Sequence, residues 1–177
     1  LDFDGVTDYV DTGATFQTTF DGSCTISTWV KLDDGRPSSI QILYGSINSA
    51  AEDRIQLTLT TGGVLQFLYE SNNNLARADT ASAVFADGGT EWTHICCVAN
   101  DATDQLSIYV NGLSQTLDGT YDGDASALTF GDFAIVDEFF IGARDNNGTG
   151  DNYLSGKMSN VQIWDKVWSE SDVQYAY

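Results

Sequence analysis

Apolar side chains recur along much of this chain at every second position. Thr25–Lys31, Ile55–Thr60, Val64–Glu70, Trp92–Val98 and Gln105–Asn111 are rich in β-branched and aromatic residues and end in turn-forming ones. Successive side chains of a strand point to opposite faces, so this alternation predicts strands; a helix would repeat at about 3.6 residues. Between the runs stand Asp21-Gly22, Asp34-Gly35, Gly62-Gly63, Gly88-Gly89, Asn111-Gly112, Asp122-Gly123 and Asn147-Gly148, dipeptides that accept positive φ. Thr61-Gly62-Gly63 and Asn111-Gly112 predict hairpin turns. One short terminal helix is expected, because Ser169 and Asp172 have capping-box spacing and Val173 and Tyr177 fall four apart. Many short strands with 17 Gly and 1 Pro predict an all-β, antiparallel two-sheet sandwich or jelly roll, not alternating strands and helices. The polar stretches Ala50–Arg54, Ser71–Thr80, Leu117–Ser126 and Ala143–Asp151 are read as loops, where function would reside.

Composition narrows the function. A length of 177 residues suits one domain over 1–177, and 42% hydrophobic with 12% aromatic residues argues against disorder. Lys and Arg number 7 against 26 Asp and Glu, a net charge of −19, which repels phosphate backbones and anionic headgroups and disfavours nucleic-acid and membrane partners. Such self-repulsion calls for salt or bound cations. No run of about 18 apolar residues is present, so no membrane insertion is expected. The opening LDFDG has no signal-peptide character, and the sequence reads as a mature product or a domain of a larger polypeptide. Cys24, Cys96 and Cys97 make an odd count, with the adjacent pair pointing to opposite faces. Buried free thiols and one bridge from Cys24 to either partner both remain open.

Catalysis finds little support. Glycoside hydrolysis needs two carboxylates converging on one face, yet Asp137 and Glu138 are adjacent and no Glu-x-Asp occurs in a strand. His94 is the only histidine, expected inside with Trp92, Cys96 and Val98, without a sequence-local acid to orient it. No phosphate loop is present. No catalytic residue is assigned.

Binding is better served. Calcium takes six to eight oxygens and favours polar Gly/Asn/Asp loops, which Asn48–Arg54 and Arg144–Asp151 provide. A sugar site needs an aromatic platform with planar polar partners. Tyr69, Tyr121, Tyr153 and Trp168 lie near polar stretches, with Asn72, Asn73, Asn74, Arg77, Arg144 and Asn147 as polar groups, whereas Trp29, Trp92 and Trp164 are assigned to packing. Asn147-Gly148-Thr149 is also a glycosylation sequon.

Four segments in order carry a resemblance. They are LDFDGVTDYVDTG at Leu1–Gly13, CTISTWVK at Cys24–Lys31, the Trp-x-His strand at Trp92–Val98 with LSIYVNG at Leu106–Gly112, and the FIG, YLSG, VQIWD and SESDV pieces of Phe140–Val173. Together they resemble the laminin-G-like, pentraxin-related domains of the concanavalin A-like lectin/glucanase superfamily. The resemblance implies the jelly-roll sandwich with a short C-terminal helix. It also implies a calcium rim, matched by Glu52 and Asp53 and by Asp145 and Asn146, with Asp151 in the same loop. Arg144 departs from the pattern, standing where the family offers an acid or amide, so an internal arginine–carboxylate pair is a rival reading. The expected function is a non-catalytic carbohydrate-binding or adhesion module on an extracellular, cell or virion surface, calcium-assisted, with a glycan or surface protein as partner. The alternative is a decoration protein of a virion or other oligomeric assembly.

Overall fold

The computed structural model describes residues 1–47, 53–128, 133, 137–146 and 148–177. In chain order the first strands are β1 Asp2–Asp4, β2 Val10–Asp11, β3 Cys24–Leu32, β4 Gln41–Ile47, β5 Arg54–Leu59, β6 Leu65–Ser71 and β7 Asn74–Thr80. They are followed by β8 Thr93–Asn100, β9 Gln105–Val110, β10 Leu113–Ser114, β11 Leu117–Asp122, β12 Phe140–Ile141, β13 Arg144–Asn146, β14 Gly150–Asp151 and β15 Ser155–Trp164. Two helices complete the described chain, α1 Gln17–Phe20 and α2 Glu170–Ala176. A six-stranded sheet runs β1-β15-β3-β8-β9-β10; a nine-stranded sheet runs β11-β7-β6-β5-β4-β12-β2, with β13 and β14 attached beside β4.

The expected antiparallel sandwich is the fold. Every strand predicted from alternation is present, and Asn111 and Gly112 carry positive φ in the β9–β10 hairpin. The terminal helix is capped as read, with Ser169 Oγ accepting from Asp172 N at 3.2 Å and Asp172 Oδ2 accepting from Ser169 N at 2.8 Å. Three stretches read as loops contain strands instead. Ser71–Thr80 holds β7, Leu117–Ser126 holds β11, and Ala143–Asp151 holds β13 and β14. The YLSG and VQIWD pieces fall at the two ends of the single ten-residue β15, which bulges between Ser159 and Gln162, where Asn160 takes φ 51°.

The core lies between the sheets. Ile26, Val30 and Leu32 of β3, Ile55, Leu57 and Leu59 of β5, and Leu65, Phe67 and Tyr69 of β6 all face it. Phe20, Phe133 and Phe139 fill one end, with the Tyr69 ring tilted against Phe133 at 4.9 Å between centroids. Parity in β8 then splits the adjacent cysteines. Cys97 joins this core, while Cys96 points to the far side of the small sheet and packs with Val98 beneath Trp168 and Val173 of α2.

All three cysteines are buried and free. Burial pushes the Cys24 and Cys97 thiols up to about 12 and Cys96 also upward, because a thiolate loses its hydration there. The folded protein is therefore expected to show no reaction with a thiol reagent at mildly alkaline pH and to release three equivalents on unfolding. Rapid labelling of the native protein would contradict this placement.

His94 is buried, but on the outer face of the small sheet. Its Nε2 lies 2.8 Å from Ser27 Oγ, and its ring is covered by Trp29 and Tyr177. Among the described residues its Nδ1 has no partner, and burial lowers the imidazole's pKa.

Candidate functional site

Register defines a chemically distinct surface on the solvent side of the large sheet. Residues directly opposite one another share a face. Core-facing Leu57 and Phe67 alternate with outward residues, giving the row Gln56, Leu68, Arg77, flanked by Arg54, Glu70, Leu75 on one side and Thr58, Gln66, Asp79 on the other. These outward polar residues are not solvated in the usual way: Gln56 is only 5% exposed and Thr58 2%. Gly45 of β4 keeps this surface low, since a Cβ there would sit 2.7 Å from Gln56 Cβ.

Three of the four arginines lie on this face or its edge, each with a carboxylate. Arg54 Nη2 is 2.9 Å from Glu70 Oε2. Arg77 donates from Nε to Asp79 Oδ1 at 2.7 Å and from Nη2 to Oδ2 at 2.5 Å, and Gln66 Nε2 donates to the same Oδ2 at 2.8 Å. This fork holds the Arg77 guanidinium firmly charged, mainly through the hydrogen bonds to Asp79. The guanidinium carbon sits 3.9 Å from the Tyr121 ring centroid, a cation–π contact. Depressions of about 300 and 410 Å³ open beside Tyr121, one toward Gln66 and Thr60 and one toward Leu75 and Thr120.

At the other end, Arg144 donates from Nε to Asp151 Oδ1 at 3.1 Å and from Nη2 to Oδ2 at 2.7 Å. Its Nη1 donates to Gln56 Oε1 at 3.0 Å, and Gln56 Nε2 donates on to Thr58 Oγ1 at 3.0 Å. Asn146 Nδ2 also donates to Asp151, at 3.1 Å. An arginine-to-amide chain thus crosses the sheet from its rim.

The residues singled out in the sequence are dispersed over this surface and beneath it. Arg77, Arg144, Asn146 and Asp151 are on it or at its edge. Tyr69 is in the core and offers no open ring face. Asn72 and Asn73 are the two positive-φ residues of the β6–β7 turn, and Asn74 opens β7; asparagine tolerates that conformation, which accounts for the run without a ligand. Tyr153 folds back on its own loop, donating to Gly150 O at 2.7 Å. Trp92 and Trp164, assigned to packing, are 42% and 40% exposed, while Trp168 is buried. Glu52 and Asn147 lie outside the described residues.

Of the expected calcium set, Asp53, Asp145, Asn146 and Asp151 are described, and their carboxylates are engaged within the protein. Asp53 accepts the Asn72 backbone N–H at 3.0 Å, and Asp151 is held by Arg144. Asp145 is buried and accepts Glu138 N at 3.0 Å and Gly148 N at 2.6 Å, thereby pinning two turns. Among the described residues no group of three or more His, Cys, Asp or Glu is arranged to hold a metal. A different acidic association appears instead: a hydrogen bond to Asp11 raises the Glu138 pKa, while burial and then the nearby Asp137 charge raise that of Asp145.

A laminin-G-type family model, described as concanavalin A-like lectin/glucanases superfamily, matches residues 4–174. The chain belongs to that superfamily. Comparison with functionally characterised proteins gives no significant sequence match. Among solved structures, the superfamily sandwich is similar to the carbohydrate-binding module (CBM40) of the Ruminococcus gnavus IT-sialidase, with a TM-score of 0.74 and 15% identity over 99% of this chain and 96% of that one. It is also similar to the NanB sialidase of Streptococcus pneumoniae, with a TM-score of 0.76 and 15% identity, covering 98% of this chain but 26% of that one. The heptameric pentraxin of Limulus polyphemus gives a TM-score of 0.56 at 16% identity, over 86% and 68% of the two chains. At these identities the likeness is one of fold.

Proposed function

We propose that this chain is a non-catalytic, extracellular carbohydrate-binding module that takes its glycan on the solvent side of the large sheet, beside Arg77 and Tyr121. The observation that carries the proposal is the concentration of guanidinium and amide groups there, in a molecule otherwise dominated by acids. Planar donors recognise hydroxyls and carboxylates in pairs, and an exposed aromatic supplies the platform a pyranose needs. The fold likeness adds support, since the R. gnavus module has been solved bound to α2,3- and α2,6-sialyllactose. Of the acids on this face, Glu70, Asp79 and Asp151 are each engaged by an arginine, while Asp118, Asp122 and Asp124 line the depressions beside Tyr121.

The test is calorimetric titration with sialyllactose and neutral oligosaccharides after a glycan-array screen, with and without EDTA. Arg77→Ala and Tyr121→Ala are each expected to weaken binding at least about tenfold while leaving the circular dichroism spectrum unchanged. A blank array would defeat the proposal and favour a display role; unchanged affinity in both variants would overturn the placement of the glycan beside Arg77 and Tyr121. Binding is expected to persist in EDTA; its loss would assign calcium a part at the rim of Asp145 and Asp151.

A further inference from the structure

A second cleft lies on the opposite side of the molecule, between β15 and α2. It encloses about 340 Å³ and is lined by Asn160, Gln162, Trp164, Lys166, Trp168 and Tyr175, with Asp172 at the helix end. Parity explains its floor. Gln162 and Trp164 stand opposite Ser27 and Thr25, on the outer face of the small sheet where α2 docks. β1 pairs with β15 only as far as Lys157, so the later half of the strand is an open edge flanking the cleft.

The bulge at Asn160 redirects this edge, with Asn160 in a left-handed conformation. Trp164 is held in place, its Nε1 donating to Gln162 Oε1 at 3.1 Å and its ring 5.8 Å from that of buried Trp168. Lys166 Nζ lies 5.1 Å from the Trp164 ring centroid. Lys166 and Asp172 bring opposite charges to the same rim, so the cleft has no excess of either sign. An oriented indole left 40% open, beside two side-chain amides and one charge of each sign, suits a ligand that is apolar on one face and hydroxylated at its edges.

We infer that this cleft is a second binding site, for a neutral oligosaccharide. A pyranose would lay its C–H face on Trp164 and direct hydroxyls to the amides of Gln162 and Asn160. The inference stands on this cleft alone and does not depend on the Arg77 surface. Two sites on opposite sheets would let one module bridge two glycan chains, gaining avidity without new contacts.

The experiment follows the four tryptophan indole N–H resonances by NMR during titration with cellotetraose, maltotetraose and β-galactotetraose. The Trp164 and Trp168 signals are expected to shift saturably with at least one of them, with a Kd of about 1 mM or tighter, while Trp92 stays still. Trp164→Ala should weaken that binding at least tenfold. Asn160→Gly, which removes the amide but accepts the same backbone conformation, should also weaken it, guarding against misfolding of the tryptophan variant. Arg77→Ala should leave it intact, so this site and the first fail separately. No Trp164 shift with any of the three at about 10 mM would overturn the inference. So would equal affinity in both variants, or occupancy of the cleft only by a proline-rich peptide or a second copy of the chain.

Discussion

Replacing Arg144 with alanine is expected to lower the unfolding free energy by about 2–3 kcal/mol. The side chain makes three hydrogen bonds, two to Asp151 and one to the buried Gln56 Oε1. Removing it strands an acceptor that water reaches poorly and leaves the Asp151 charge against a surface shaped for a guanidinium. Breaking a fully buried pair costs roughly 3–5 kcal/mol and an exposed pair about 0–1. With side chains 15% and 30% exposed, this pair falls between those limits. For a domain of this size the loss translates to a fall in Tm of roughly 4–12 °C. Arg144→Lys should recover less than half of it, because an ammonium cannot reproduce the bidentate fork or reach Gln56 as well. Thermal melts of the three proteins decide the matter; a shift below about 1 °C in the alanine variant would show the pair to be ornamental. A melt in calcium adds a second reading, since a cation at the rim would compete with Arg144 for Asp151.

What the sequence disclosed depended on what each strand buries. β3, β5, β6 and β8 set large apolar residues against the core at alternate positions, and their pattern is plain. β7 buries Ala76 and Ala78, so Asn-Leu-Ala-Arg-Ala-Asp-Thr carries no strong hydrophobic alternation and reads as a loop. β11 is almost wholly exposed and is held by its pairing with β7. β4 is buried along its whole length, which erases the alternation altogether. The site suffered in consequence: Arg77 and Asp79 are two apart on one face only once β7 is a strand, and Gln66 meets Asp79 only through register.

The aromatic assignments turn on the same parity. Tyr69 and Tyr121 both adjoin polar residues in sequence, but Tyr69 falls on the inward phase of β6 and Tyr121 on an edge strand with no layer above it. Trp164 ends β15 facing outward, while Trp168 is carried by the following turn into the small cluster beneath α2. Proximity to polar residues in sequence is therefore a poor guide to a platform; the phase of the strand and the presence of a covering element decide it.

Gly142→Ala is expected to cost more than any single change on the binding surface, about 3–5 kcal/mol, because two penalties coincide at one backbone position. Its φ of +84° is one that residues with a Cβ seldom adopt, a cost of roughly 1–2 kcal/mol. A Cβ would also meet the Phe3 ring, 2.8 Å from Cζ and closer still to Cε1 and Cδ1. That ring cannot simply turn aside. Phe3 is buried in β1, which is paired with β15, while Gly142 is tied to the other sheet by donation to Leu43 O at 2.7 Å. The clash therefore pushes the two sheets apart instead of shifting one side chain. The expected fall in Tm is roughly 6–20 °C at 2–4 °C per kcal/mol. A double-mutant cycle separates the two penalties. Phe3→Ala alone should cost about 3–5 kcal/mol for the lost aromatic, yet added to Gly142→Ala it should cost markedly less, since the space it vacates receives the new methyl group. Strict additivity of the two changes would show that the backbone conformation alone demands glycine and that Phe3 does not lock the sheets together at this point.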